Sequence, residues 1–150
     1  MTAASRWRPP DHNDFNINVA FKRIAGSSLV GIGVLIRDYL GGVNAVMQRQ
    51  STLGGDYILI YAQVVLSAIK FALDVGLPRI VMDIGCKELH AFLLSKDPCF
   101  AAVGPIVDGI LFMKSYFLSV KFSFVSSICN KAASFGYRCC VLIFGIGLVR

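Results

Sequence analysis

Between residues 15 and 77 the hydrophobic period changes once, and that change limits the fold more than any other feature. "FNINVAF", residues 15–21, alternates Phe15, Ile17 and Val19 with Asn16 and Asn18, the two-residue period of a half-buried strand. "KRIAGSS", 22–28, is a turn. "LVGIGVLIRD", 29–38, is rich in β-branched residues, and its glycines permit close backbone approach. "YLGG" turns the chain again and "VNAVMQRQ", 43–50, supplies a third run. Three strands joined by short glycine-containing turns make an antiparallel meander.

From residue 58 the period becomes helical. In "ILIYAQVVLSAIKFALDVGL", Ala62, Val65, Leu66, Ile69, Leu73 and Leu77 fall at helical spacing, and Gly76 and Pro78 end the run. A short apolar strand follows at 79–84. Helices are predicted over 86–95 and 102–117, a fifth strand over 119–127, where Val120, Phe122 and Phe124 alternate with Lys121 and Ser123, and a last helix over 130–140. The order β-β-β-α-β-α-α-β-α predicts an α/β fold. Its mixed five-stranded sheet has three antiparallel strands followed by parallel crossovers, with helices on both faces. Residues 1–14, polar and carrying Pro9-Pro10, read as an extended lead-in, 15–138 as one domain and 139–150 as an apolar tail.

Charge and cysteine usage narrow the function classes. Fifteen Lys and Arg against nine Asp and Glu give a net charge of +6, which favours polyanionic partners without specifying a fold. The cations are scattered rather than clustered. The five cysteines are odd in number and contain no C-x-x-C pair, so neither a disulfide framework nor a zinc site is indicated. The opening residues lack the apolar core of a secretory signal. "CCVLIFGIGLV", 139–149, is shorter than the roughly 18 apolar residues that span a bilayer. An intracellular protein, nuclear or cytoplasmic, with no membrane partner is expected.

Several phrases at matching distances resemble the ribonuclease H-type domain of plant retroelement-derived proteins. They are "RWRPP" (6–10), "INV" followed by "AF" (17–21), "GIGVLIRDYLGGV" (31–43), "AIKFALDVGLPRIVMDIGCKEL" (68–89) and "FSFVSSICNKAAS" (122–134). The resemblance covers residues 6–138. It implies the corresponding fold and an activity that cuts the RNA strand of an RNA–DNA hybrid. Two magnesium ions about 4 Å apart, held by carboxylates, would activate the water and stabilise the leaving oxygen.

Carried over position by position, the resemblance implies that the ligands are missing. Where the family reads Ile-Asn-Val-Asp-Gly-Ala-Phe, this chain runs from Ile17-Asn18-Val19 into Ala20-Phe21. The Ala-Glu pair of the first helix is Ala62-Gln63 here. The aspartate of the fourth strand falls on Gly85, with Asp83 two residues earlier, and the final metal-side residue falls on Ser134. Asp83 is expected to be a solvated or helix-capping acid. No catalytic residue and no bound cofactor are therefore expected. The resemblance leaves Asn18, Lys87, Asn130 and Lys131 as candidate nucleic-acid contacts, together with Lys22, for weak and sequence-independent binding. The expected function is a nucleic-acid-binding domain, possible on hybrids, that has lost cleavage. Two other readings stand beside it: a decayed retroelement fragment with a partner-binding surface or no function, and an active hybrid ribonuclease.

Overall fold

The structure is a computed structural model that describes residues 13–97 and 101–125. The expected last helix and apolar tail lie outside the described residues, as do Asn130, Lys131, Ser134 and nearly all of the lead-in. The strands are β1 (Phe15–Arg23), β2 (Leu29–Arg37), β3 (Val43–Thr52), β4 (Arg79–Ile84) and β5 (Ser119–Phe124). The helices are α1 (Tyr57–Val75), α2 (Lys87–Leu94) and α3 (Gly104–Met113), and a short 3-10 turn follows α3 at Lys114–Tyr116. The sheet order is β3-β2-β1-β4-β5. β1–β2 and β2–β3 are antiparallel, whereas β1–β4 and β4–β5 are parallel. This is the mixed five-stranded sheet that the sequence predicts.

Registers fix which residues share a face, because side chains alternate along a strand. Ile17, Val19 and Phe21 pair with Ile36, Val34 and Ile32. Met82 lies beside Ile17 on the other side. These residues form the apolar face, and α1, α2 and α3 touch one another and cover it. Arg49 of β3 reaches Ser67 of α1 across this face, 2.7 Å away. The expected last helix, 130–140, lies outside the described residues, and the described helices lie on one face.

α1 begins where Asp56 accepts a hydrogen bond from the Leu59 amide, which satisfies one of the first-turn donors. It ends at Gly76, whose φ of 88° is a left-handed conformation that favours glycine. In between, Ile60, Ala62, Val64, Val65, Ala68, Ile69 and Ala72 are all buried. The helix is long and apolar enough to cross a membrane by length and composition. Here the sheet and the two neighbouring helices account for that composition, since a helix packed on several sides is apolar on several sides.

The expected third helix, 102–117, is shorter. α3 stops at Met113 and the chain tightens into the 3-10 turn. The tightening lets the Leu118 amide reach the Pro78 carbonyl at 2.8 Å, so that β5 can start alongside β4. Ahead of β1, Asp14 is already anchored. It is only 3% exposed, and its carboxylate lies 2.9 Å from Arg79 and 3.4 Å from Lys121. The residue ahead of β1 is thereby tied to Arg79 at the start of β4 and to Lys121 of β5.

Candidate functional site

The face of the sheet opposite the described helices carries Asn16, Asn18 and Ala20 of β1, Arg37 of β2 and Asp83 of β4. Four of these form one chain of hydrogen bonds. Arg37 donates to Asn18 Oδ1 at 2.8 Å. The Asn18 amide donates to Asp83 Oδ2 at 2.9 Å, and the Asn16 amide donates to the same oxygen at 2.9 Å. Asn16 and Asn18 are buried, and Asp83 is 4% exposed. Burial pushes the Asp83 carboxyl above its ordinary range, while the two asparagine donors and Arg37 pull it partly back. Burial likewise lowers Arg37, with the Asp83 charge acting in the opposite sense.

This cluster corrects two expectations. Asp83 is neither solvated nor a cap: it is a buried acceptor, and the residue at the α2 cap position is Cys86, which makes no side-chain cap. Asn18 is fully buried with both ends of its amide engaged, so its side chain is not presented to a ligand. The pattern Asn-x-Asn reads as the wet side of a half-buried strand. In the central strand of a sheet those positions are buried and must find partners.

The positions that the family resemblance assigns to metal ligands lie at the C-terminal ends of β1 and β4. The β1–β4 register pairs Ile17 with Met82. Carried three residues on, it sets Ala20 level with Gly85. Ala20 is also the residue that follows Ile17-Asn18-Val19, as the aspartate does in the family phrase. β1 pairs with β2 residue by residue through Arg23, with no irregularity. The strand therefore runs straight through the place where Asp-Gly is missing. Gln63 sits one turn into α1, and its amide nitrogen donates to Gly54 and Leu59 carbonyls at 3.2 and 3.1 Å. A glutamate there would have no hydrogen to donate.

Magnesium needs hard, preferably anionic oxygens. These positions offer a methyl group, a committed amide and a glycine, and the nearest acid, Asp83, is held by two amides. The other described acids do not converge there: Glu88 is exposed in the first turn of α2, and Asp97 is exposed beyond its end. Asp38 closes the β2–β3 turn by accepting from Leu40 and Gly42. Asp56 caps α1, Asp14 pairs with Arg79 and Lys121, and Asp74 and Asp108 are exposed on helices. Among the described residues no three acids, histidines or cysteines gather within reach of one ion. The described residues do not fit a pair of magnesium ions.

The rim instead holds an aromatic group that sequence reading missed. Phe21, at the end of β1, lies 5.5 Å from both Tyr57 and Tyr61, centroid to centroid, and the two tyrosines are 5.8 Å apart. The Tyr61 hydroxyl accepts from the Gly85 amide at 2.6 Å, which joins α1 to the end of β4. Burial raises the Tyr61 phenol, against the pull of that Gly85 hydrogen bond. Burial, aided by the nearby Cys86 thiol, raises Tyr57. Arg23 donates to the Gly55 carbonyl at 2.7 Å, just ahead of α1. Of the candidate contacts, Lys87 is exposed at the first position of α2 and Lys22 is exposed near the end of β1. Asn130 and Lys131 lie outside the described residues.

Known structures share this architecture. The N-terminal RNase H domain of Rv2228c from Mycobacterium tuberculosis superposes with a TM-score of 0.67 at 10% identity, covering 82% of this chain and 95% of that one. RNase H1 from the halophilic archaeon Halobacterium salinarum gives 0.65 at 14% identity, covering 82% and 92%. LC11-RNase H1, isolated from compost and solved in complex with an RNA/DNA hybrid, gives 0.66 at 12% identity, covering 81% and 92%. No curated protein matches the sequence significantly. The reverse transcriptase-like family profile matches residues 16–135. That match spans every described element and agrees with the superpositions. The chain belongs to the reverse transcriptase-like family, as a ribonuclease H-like domain.

Proposed function

We propose that this protein is a ribonuclease H-like domain that binds nucleic acid and does not cut it. The observation that carries the reading is the conjunction of a complete five-stranded sheet among the described residues with carboxylate-free positions at Ala20, Gln63 and Gly85. A two-metal hydrolase needs convergent negative charge, and a single acid, its Oδ2 already accepting from Asn16 and Asn18, does not supply it. A net charge of +6 favours a polyanion, and a domain of the same fold was solved with an RNA/DNA hybrid. The phrases at 31–43 and 68–89 favour descent from a plant retroelement.

The cations at the rim, Lys22, Arg23 and Lys87, act on phosphates rather than on base edges, so the affinity is weak, blind to sequence and sensitive to salt. Fluorescence anisotropy on a labelled RNA–DNA hybrid tests this. Two to three phosphate contacts predict a loss of about 10- to 40-fold in affinity between about 50 and about 200 mM salt. Absence of binding at the lowest salt would refute the reading and favour a decayed fold without a nucleic-acid role.

A further inference from the structure

The aromatic group lies beside the positions where the resemblance expects metal-binding acids. Phe21 lies on β1 two strand positions after Val19, on the face opposite Ala20. Tyr61 is tied to the Gly85 amide at the end of β4, and Tyr57 stands one helical turn before Tyr61 at the outer edge. Tyr61 is buried and Phe21 is half-buried, but Tyr57 is 59% exposed. Its ring leans on Phe21 at 39° and meets Tyr61 at 70°, so two neighbours hold it while much of it meets solvent.

Two cations border the ring. Arg23 is fixed to the Gly55 carbonyl two residues before Tyr57, and Lys87 opens α2 next to Cys86, whereas Lys22 shares the sheet face of Asn18 and Ala20. The nearby acids are Asp83, whose Oδ2 accepts from Asn16 and Asn18, Asp56, engaged in capping α1, and Glu88, exposed in the first turn of α2. Arg23 and Lys87 are the cations within the same rim as Tyr57.

We propose that Tyr57 is a stacking platform for an unpaired base of a single-stranded nucleic acid, with Arg23 and Lys87 on the flanking phosphates. A duplex or hybrid keeps its bases stacked on each other and has no free face for the ring. An unpaired base does, and aromatic stacking tolerates any base. Loss of carboxylates from this rim removes the repulsion that would otherwise hold phosphates away unless metal ions intervened. The proposal rests on the nucleic-acid-binding reading above and adds the strand type and the residue.

The test is anisotropy with labelled oligo-dT, oligo-rU and an RNA–DNA hybrid, on wild type and on Tyr57→Ala, Tyr57→Leu and Tyr57→Phe. Thermal melts of each variant accompany the titrations. Tyr57→Leu keeps apolar bulk against Phe21 should Tyr57→Ala melt early. Single strands are expected to bind about 5- to 150-fold more weakly to the Ala and Leu variants. Tyr57→Phe is expected to stay within about twofold of wild type, since the ring face is unchanged. Hybrid binding should change little in all three. Unchanged single-strand binding by the folded Leu variant, or an equal loss for strands and hybrid, overturns the platform. Wild type that binds hybrid but no single strand overturns the platform and leaves the broader reading standing. Wild type that binds neither overturns both.

Discussion

Removing the Asp83 carboxylate should unfold much of the domain's stability, because two buried donors depend on one oxygen. Asp83→Ala leaves the Asn16 and Asn18 amides facing a void where Oδ2 stood 2.9 Å from each. A buried donor left unsatisfied costs about 1–3 kcal/mol, so the pair predicts a loss of about 2–6 kcal/mol. Domains of this size have only about 5–15 kcal/mol in total. Asp83→Asn keeps an oxygen for those donors and removes a charge that burial disfavours, so a change within about 1 kcal/mol is expected. Urea melts of the three proteins give the comparison.

The pH dependence carries the same signature. Burial holds the folded Asp83 carboxyl above its ordinary 3.8, against the opposing pull of Asn16, Asn18 and Arg37. The unfolded chain thus loses this proton at lower pH than the folded chain. The Asp83 contribution is fully favourable below pH 3.8 and is lost as pH rises through the raised folded value. The gap between Asp83→Asn and wild type should therefore move in favour of Asp83→Asn over that window. If Asp83→Ala proved as stable as wild type, the carboxylate would not be a buried acceptor and would be free to serve a metal.

Three further outcomes follow from individual contacts. Gln63→Glu replaces a donor by a carboxylate facing the Gly54 and Leu59 carbonyls, and should cost about 1–3 kcal/mol in a denaturant melt. Gly76→Ala finds open space for its Cβ but must hold φ at 88°, so its cost is backbone strain alone, about 1–2 kcal/mol, and Gly76→Asn should cost less. Asp14→Ala breaks the tie to Arg79 and Lys121. Because Asp14 is buried while both cations are half-exposed, the expected loss is about 1–3 kcal/mol in the same melt, smaller at high salt.

The order of the described elements was legible, because each rests on local chemistry. Alternation marks β1 and β5, β-branched content marks β2, and Gly76 ends α1 in the left-handed conformation its position suggests. The 3-10 turn after Met113 was not legible, since it answers a tertiary demand: bringing Leu118 to Pro78 so that β5 can pair. The same holds for the polar cluster. Asn16, Asn18, Arg37 and Asp83 look like four separate surface residues until strand order makes β1 central. The aromatic group joins residues 21, 57 and 61, and nothing in their local patterns marks them as neighbours. The missing ligands could be read from Gln63 and Gly85 by resemblance. Only the β1–β4 register, carried on from Ile17 and Met82, sets Ala20 level with Gly85 and gives the first-strand position an occupant.

Incubation of the full chain with an end-labelled RNA–DNA hybrid, with magnesium or manganese and with chelator as control, tests the central claim most directly. The RNA strand is expected to stay intact at the background rate in every lane. Metal-dependent shortening of that strand, abolished by chelator and removed by Asp83→Asn, would contradict it.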